Sequence, residues 1–249
     1  MPDRTIVITS DFGDRFTVTQ LVGVIRSINS AIPVIAGENN VTPFSIVEGS
    51  FIIWQSSRFF PPGTIHLGIV DPGVGSSRRG IIIESKNFFF VGPDNGLFYQ
   101  AAKADGIVAA YTVDLDRIGN TSVTFHGRDV FAKAAAFVAH QRPFDEFAHP
   151  LDTKLLVPLE YKENQIVHID PYGNLKIYNP AAYTQGQSLT ITIGEKRVAM
   201  PFKLTFSEVA VGEYLAYKGS HDILEIAINQ GHAAKSLGVR VEDVLQITS

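Results

Sequence analysis

The sequence predicts two domains: a layered α/β N-terminal domain with a Rossmann-like sheet, then a smaller all-β domain built as a compact barrel or sandwich. Three observations carry this expectation. Short apolar runs alternate with helically spaced apolar residues as far as Val138. After Gln165 the apolar period drops to two and turn signals recur between short runs. Between these regions, Gln141 to Lys162 holds Arg-Pro, His-Pro and Val-Pro steps with mixed charge, a composition suited to a connection. The expected divisions are 1–150 for the α/β domain, 151–164 for a linker and 165–249 for the β domain.

Thr5 to Thr9 is a β-branched run that ends on Ser10-Asp11-Phe12-Gly13, which sets a carboxylate at a strand's C-terminal end. Val18, Leu21, Val22, Ile25 and Ile28 follow at helical spacing, so the chain opens as strand, turn and helix. Pro33 to Ala36 forms the next short strand, Thr42-Pro43-Phe44 a turn, and Ile46 to Phe60 a helix stopped by Pro61-Pro62-Gly63. Ile65 to Val70 is a buried strand that delivers Asp71, where Pro72 and Gly73 end the ladder and Gly75 permits an unusual backbone. Arg78 can fold back across that loop. Open α/β sheets bind ligands beyond the carboxyl ends of their strands, so Asp11, Asp71 and Arg78 are expected in one crevice.

Gly80 to Glu84 and Phe88 to Val91 form a hairpin ending in Gly92-Pro93-Asp94-Asn95-Gly96, a third acidic strand end that also suits a plain turn. Leu97 to Ala104 makes a helix and Val108 to Val113 a strand. Next, Thr124-Phe125-His126-Gly127-Arg128-Asp129 precedes a helix whose Val130, Phe131, Ala134, Ala135 and Val138 share one side. His126 therefore stands at a helix N-terminus, where the dipole favours the neutral imidazole. In the second half, Gln165 to Ile169 and Leu175 to Tyr178 flank the turn Asp170-Pro171-Tyr172-Gly173-Asn174. Further strands are expected at Leu189 to Ile193, Arg197 to Met200, Tyr214 to Tyr217 and Val244 to Thr248. Ile223 to Leu237 mixes strand character with a short helix from His232.

At 249 residues, 45% hydrophobic, 18% charged and net −4, the chain has an ordinary globular composition and lacks the basic face that nucleic acid requires. It has no cysteine, so disulfides and thiolate chemistry are excluded. No apolar stretch approaches the length of a membrane span, and the first apolar run is broken by Asp11 rather than extended into a signal-peptide core. The expected location is cytoplasmic, with a small-molecule substrate and neither membrane nor nucleic acid as partner. No Walker loop, GxGxxG, nucleophile elbow or HExxH occurs, so standard phosphate, dinucleotide and zinc chemistry has no motif to stand on.

Asp11, Asp71, Arg78 and His126 all lie at the ends of adjacent elements, a convergence that favours an enzyme. In order, TSDFG, VDPGVG with an arginine after it, VGPDNG, FHGRDVFA and DPYGNL resemble the S-adenosylmethionine (SAM) hydroxide adenosyltransferase family, relatives of the fluorinase and chlorinase enzymes. The resemblance runs over essentially the whole chain. It implies an N-terminal α/β domain, a C-terminal β-barrel, and a homotrimer with sites between one subunit's N-domain and a neighbour's barrel. It also implies hydrolysis of SAM to adenosine and L-methionine. By that resemblance Asp71, Arg78 and His126 would form the triad that orients the attacking water or hydroxide. Asp11 would hold the ribose hydroxyls and Phe44 would pack on the ribose. Asp170, Tyr172 and Asn174 would bind from the barrel side, with Asn174 reading adenine and Ser220 contributing to the adenine pocket. Asp14 and Thr17 are the expected further substrate contacts.

The sulfonium is already an excellent leaving group, so no metal and no organic cofactor is expected. Departures from the family pattern are Lys133 where proline is common, Asp14 one place early, and Asn39-Asn40 where histidine is usual. Halogenating relatives bind halide through a serine-bearing segment, whereas Gly127 offers no hydroxyl and Asp71 would repel an anion; hydrolysis is therefore expected over halogenation. Two other readings fit some of the residues. A metal-dependent phosphohydrolase would cage a divalent ion with Asp11, Asp71 and Asp94, and a non-catalytic adenosine or SAM sensor would use the same pocket without turnover.

Overall fold

Five residues, Ile-Val-Ile-Thr-Ser, make strand β1 (Ile6–Ser10), buried along its whole length as a strand covered on both faces must be. The computed structural model describes residues 4–119 and 122–248. Asp14 caps helix α1 (Arg15–Ile28) by accepting from the Thr17 amide, and Val18, Leu21 and Ile25 turn its apolar stripe inward. Strand β2 (Val34–Ala36), helix α2 (Ile46–Ser57) with Ser45 as its N-cap, and strand β3 (Ile65–Ile69) follow. The hairpin is β4 (Gly80–Ser85) and β5 (Phe89–Pro93), antiparallel with Ile82 opposite Val91. Helix α3 (Tyr99–Asp105), strand β6 (Ile107–Val113) and the short helix α4 (Leu115–Ile118) lead to the His126 region. There a single π-helical turn, Gly127–Phe131, runs directly into helix α5 (Ala132–Ala139).

These strands form a seven-stranded sheet in the order β2-β1-β3-β5-β4-β6-β7. Its last member, β7 (Ala148–Leu151), arises from the stretch expected to connect the domains and pairs with β6 from Ala110–Leu151 to Val113–Ala148. The strand was hidden because His149 and Pro150 break any apolar alternation, and proline is tolerated on an edge strand. Strands β1, β2, β3 and β5 are parallel neighbours. From β1 the chain goes first to β2 on one side and later to β3 on the other. The crevice beyond the carboxyl ends of β1 and β3 is thus a topological switch point. Two apolar layers cover the sheet: Ile6, Ile8 and Ile82 pack with Leu21 of α1 and Ala135 of α5. On the other face Ile81, Ile83 and Phe90 pack with Ile53 of α2 and Ala102 of α3.

Contacts divide the chain into residues 1–159 and 160–249. The second unit contains β8 (Gln165–Ile169), β9 (Leu175–Tyr178), β10 (Ser188–Ile193), β11 (Lys196–Pro201), β12 (Tyr214–Lys218), β13 (Leu224–Ile228), helix α6 (Ala233–Leu237) and β14 (Gln246–Thr248). They form a three-stranded sheet, β11-β10-β14, and a four-stranded sheet, β12-β13-β9-β8. Single bridges join Gln165 to Val244 and Phe202 to Ala216. Alternate residues, among them Leu175, Ile177, Leu189, Ile191, Leu224 and Ile226, supply the core. No helix among the described residues is long and apolar enough to cross a membrane.

Candidate active site

Strands β1 and β3 end side by side, and Asp11 and Asp71 leave their carboxyl ends into the switch-point crevice. Asp11 Oδ2 accepts the Phe44 amide at 2.8 Å. That amide belongs to a residue in the left-handed region, φ 69°, whose ring is exposed. After Asp71 the chain turns tightly, with the Val74 amide donating to the Asp71 carbonyl and Gly75 at φ 79°. The turn brings Arg78 back over Asp71. Arg78 Nε donates to Asp71 Oδ1 at 2.8 Å, and Nη2 donates to Oδ2, a bidentate pair with both side chains largely buried.

The same Nη2 lies 2.9 Å from His126 Nδ1. Arginine has only donors, so Nδ1 accepts and the neutral ring carries its proton on Nε2. His126 is buried at the start of the π turn and its ring meets Phe131 edge-on. Its pKa is lowered first by burial and next by the Arg78 charge, against the opposing pull of Asp71 and Asp129. The neutral state expected at this helix start is favoured, with burial and Arg78 as its causes. The Arg78 guanidinium also sits 5.0 Å from the centre of the Phe131 ring, which holds it on its apolar side.

Asp11, Asp71 and His126 line one cavity of about 300 Å³ together with Phe12, Phe44, Ile69 and Val74. Phe12 and Phe125 meet edge-on at 5.8 Å and form part of its apolar wall. Phe12 belongs to the TSDFG motif and Phe125 to FHGRDVFA, where neither carries a polar group to mark it as a site residue. Gly127 also lines the cavity; a Cβ there would lie 3.0 Å from Ile69 Cγ2 and 3.4 Å from Phe12 Cζ. The site offers a neutral imidazole, a paired carboxylate and a guanidinium beside an apolar wall, a combination suited to orienting a small polar nucleophile.

The other expected residues belong to other elements. Asp14 accepts the Thr17 amide at 2.6 Å and the Thr17 hydroxyl at 3.0 Å, so these two residues form the cap of α1. Asp14 borders a neighbouring groove with Asn39 and Asn40. In the second unit, Asp170 Oδ1 accepts the amides of Tyr172 and Asn174, each at 3.0 Å, and Oδ2 accepts Asn174 Nδ2 at 2.9 Å. Asp170 thus organises its own turn, holding Asn174 buried while Tyr172 stays 76% exposed. Ser220 is exposed in the turn between β12 and β13. Asp94 pairs with Arg79 and accepts the Val157 amide at 3.0 Å, which occupies it structurally. Among the described residues no three histidine, aspartate or glutamate side chains are placed to hold one ion.

Residues 6–148 match the SAM hydroxide adenosyltransferase N-terminal domain, and residues 164–246 match the C-terminal domain. An (R)-S-adenosyl-L-methionine hydrolase of Salinispora tropica is 33% identical, covering 100% of this chain and 99% of its own. A protein of the same name from Methanocaldococcus jannaschii is 29% identical over 97% of this chain and 95% of its own. A fluorinase of an Actinoplanes species is more distant, 22% identical over 98% of this chain and 97% of its own. An uncharacterized conserved protein from Thermotoga maritima has a crystal structure that superposes with a TM-score of 0.89 at 28% identity, covering 98% of this chain and 100% of that one.

Proposed function

This chain belongs to the SAM hydroxide adenosyltransferase family, and from that premise we infer that it hydrolyses S-adenosyl-L-methionine to adenosine and L-methionine. The single observation that carries the chemistry is the contact of Arg78 with both Asp71 and His126 at the switch point.

In the reaction a C5′–O bond forms, the C5′–S bond breaks with its electron pair on sulfur, and water loses one proton. The thioether leaves neutral, so the leaving group needs no acid and the scheme calls for no metal or organic cofactor. The difficult participant is water, a weak nucleophile. Asp71 accepts its proton: a carboxylate has about four lone-pair sites, and the bidentate arginine uses two. Arg78 places a fixed positive charge beside the developing hydroxide. His126 offers its Nε2 proton to hold the oxygen in line with C5′, so it acts as a donor rather than as the base. Hydroxide and sulfonium annihilate charge on reaction, so the apolar wall of Phe12, Ile69 and Phe125 assists by thinning the water around them.

Asp11 holds the ribose hydroxyls with the oxygen that the Phe44 amide leaves free, and the Phe44 ring packs on the ribose. Asp170, Tyr172, Asn174 and Ser220 bind the adenosyl group from a neighbouring copy in a homotrimer, with the two sheets of the second unit acting as one barrel. The exposure of both Phe44 and Tyr172, 71% and 76%, supports surfaces made to be covered. Asp71→Ala and Tyr172→Ala copies tested separately and as exchanged mixed assemblies examine this. Shared sites restore part of the adenosine release on mixing; two trimeric variants that fail to complement contradict sharing. Asp71→Ala, Arg78→Ala and His126→Ala test the triad: hydrolysis falls while adenosine binding persists, and equal losses of both would contradict the division of labour.

A further inference from the structure

The second unit buries charges that the hydrolytic scheme leaves unused. Across the four-stranded sheet, Tyr217 of β12 is in register with Glu225 of β13, and Glu225 with Lys176 of β9. The three side chains stand in a row on one face, while Leu224, Ile226, Leu175 and Ile177 fill the core behind them. Glu225 Oε1 accepts from Lys176 Nζ at 2.8 Å, and Oε2 accepts from the Tyr217 hydroxyl at 2.5 Å. Glu225 is 3% exposed and Lys176 8%. Burial and the Glu225 carboxylate push the Tyr217 phenol up, with Asp170 adding to the effect, so Tyr217 remains a donor at any working pH.

A buried lysine–glutamate pair is a poor way to stabilise a sheet, because apolar side chains of the same volume serve as well or better. What this pair touches is more informative. Lys176 lies two residues beyond Asn174, at the base of the turn that Asp170 organises. Gly219, next to Ser220, lies directly on the carboxylate: a Cβ there would fall 2.0 Å from Glu225 Oε1. The glycine is required by this close approach. One buried carboxylate therefore abuts the turn that carries Ser220 and bonds to the strand that leaves the Asp170–Asn174 turn.

We propose that Glu225, with Lys176 and Tyr217, is a positioning network that fixes the Asp170–Asn174 turn against the Gly219–Ser220 turn and so sets affinity for the adenosyl group of the substrate. The proposal rests on the hydrolase reading and extends it. Glu225 touches no substrate itself; it acts through the turns.

The test is the apolar replacement Lys176→Met/Glu225→Leu, with Tyr217→Phe and Gly219→Ala as separate variants. Thermal unfolding, adenosine dissociation constants by calorimetry, and KM and kcat for S-adenosyl-L-methionine are measured on each. The double variant unfolds at or above the wild-type temperature, while KM and the adenosine Kd both rise about tenfold and kcat stays within about threefold. Tyr217→Phe and Gly219→Ala move KM and Kd in the same direction. A folded double variant with wild-type KM and adenosine Kd overturns the proposal, because a purely structural pair moves the melting temperature alone. If the double variant does not fold, unchanged adenosine affinity in both single variants overturns it equally. Wild-type protein that binds adenosine but releases none from the substrate refutes the hydrolase reading and leaves the adenosine comparison intact.

Discussion

Replacing Arg78 by methionine separates the energetic role of the proposed triad from its chemical one. Arg78 and Asp71 form a bidentate pair whose side chains are 11% and 7% exposed. Methionine roughly fills the space of the arginine stem but leaves Asp71 charged and buried without its partner. Removing one member of a buried pair costs about 3–5 kcal/mol, which urea unfolding at neutral pH reads as a lower midpoint with an unchanged slope. Asp71→Asn/Arg78→Met removes both charges, so most of that cost is recovered. Hydrolysis behaves differently: in the proposed scheme both variants lack the fixed charge beside the nucleophile and the double variant lacks the proton acceptor as well, so the single variant is expected to lose about 10²–10³-fold in kcat and the double variant at least as much. Adenosine release followed by chromatography gives that comparison. A double variant that regains turnover along with stability refutes the reasoning, since the triad would then be a structural tie near the site. A single variant as stable as wild type would contradict the buried pairing.

Three other expectations follow from the same physics. Burial and Arg78 lower the His126 pKa, so the neutral ring survives below its ordinary value of 6.5; protonation at Nδ1 would remove the acceptor of Arg78 Nη2, so an acid limb of kcat/KM set by His126 should lie below that pH. Asp71→Asn, which removes a charge that raises it, should shift any residual limb further toward acid. His66 is buried among Phe60, Phe88 and Phe90, and burial lowers its pKa to about 4. The unfolded chain takes up this proton near pH 6.5 and the folded chain only near 4, so stability is fully retained above pH 6.5 and falls between 6.5 and 4 by about 3 kcal/mol. His66→Leu should remove that slope in unfolding curves taken across the window; an unchanged slope would assign acid lability elsewhere. Asp14→Ala removes the α1 cap and should cost about 1 kcal/mol in the same unfolding assay.

Much of the candidate site's geometry is legible because strand ends announce themselves. A β-branched run that stops at Asp11 before a glycine, and another that stops at Asp71 before Pro72-Gly73, put two carboxylates at carboxyl ends without tertiary information. The return of Arg78 onto Asp71, seven positions later, follows from a short loop containing Gly75. Its contact with His126, 48 residues away, depends on the placement of the π turn beside β3, which periodicity does not encode. Asp14 and Thr17 fit a helix cap as well as a ligand contact, and the hydrogen bonds between them show the cap. Strand β7 was obscured by His149 and Pro150. Lys176 and Glu225 occupy the polar positions of alternating strands and so resemble solvent-facing residues; only the register across β9 and β13 shows them buried and paired.

The most direct test of the account is hydrolysis of S-adenosyl-L-methionine by metal-free protein in heavy-oxygen water, with chloride present and absent, followed by mass spectrometry of both products. Attack of water at C5′ places the label in the 5′-hydroxyl of adenosine, leaves L-methionine unlabelled and is indifferent to chloride. Unlabelled adenosine, label in the amino-acid product, or a chlorinated nucleoside would contradict it.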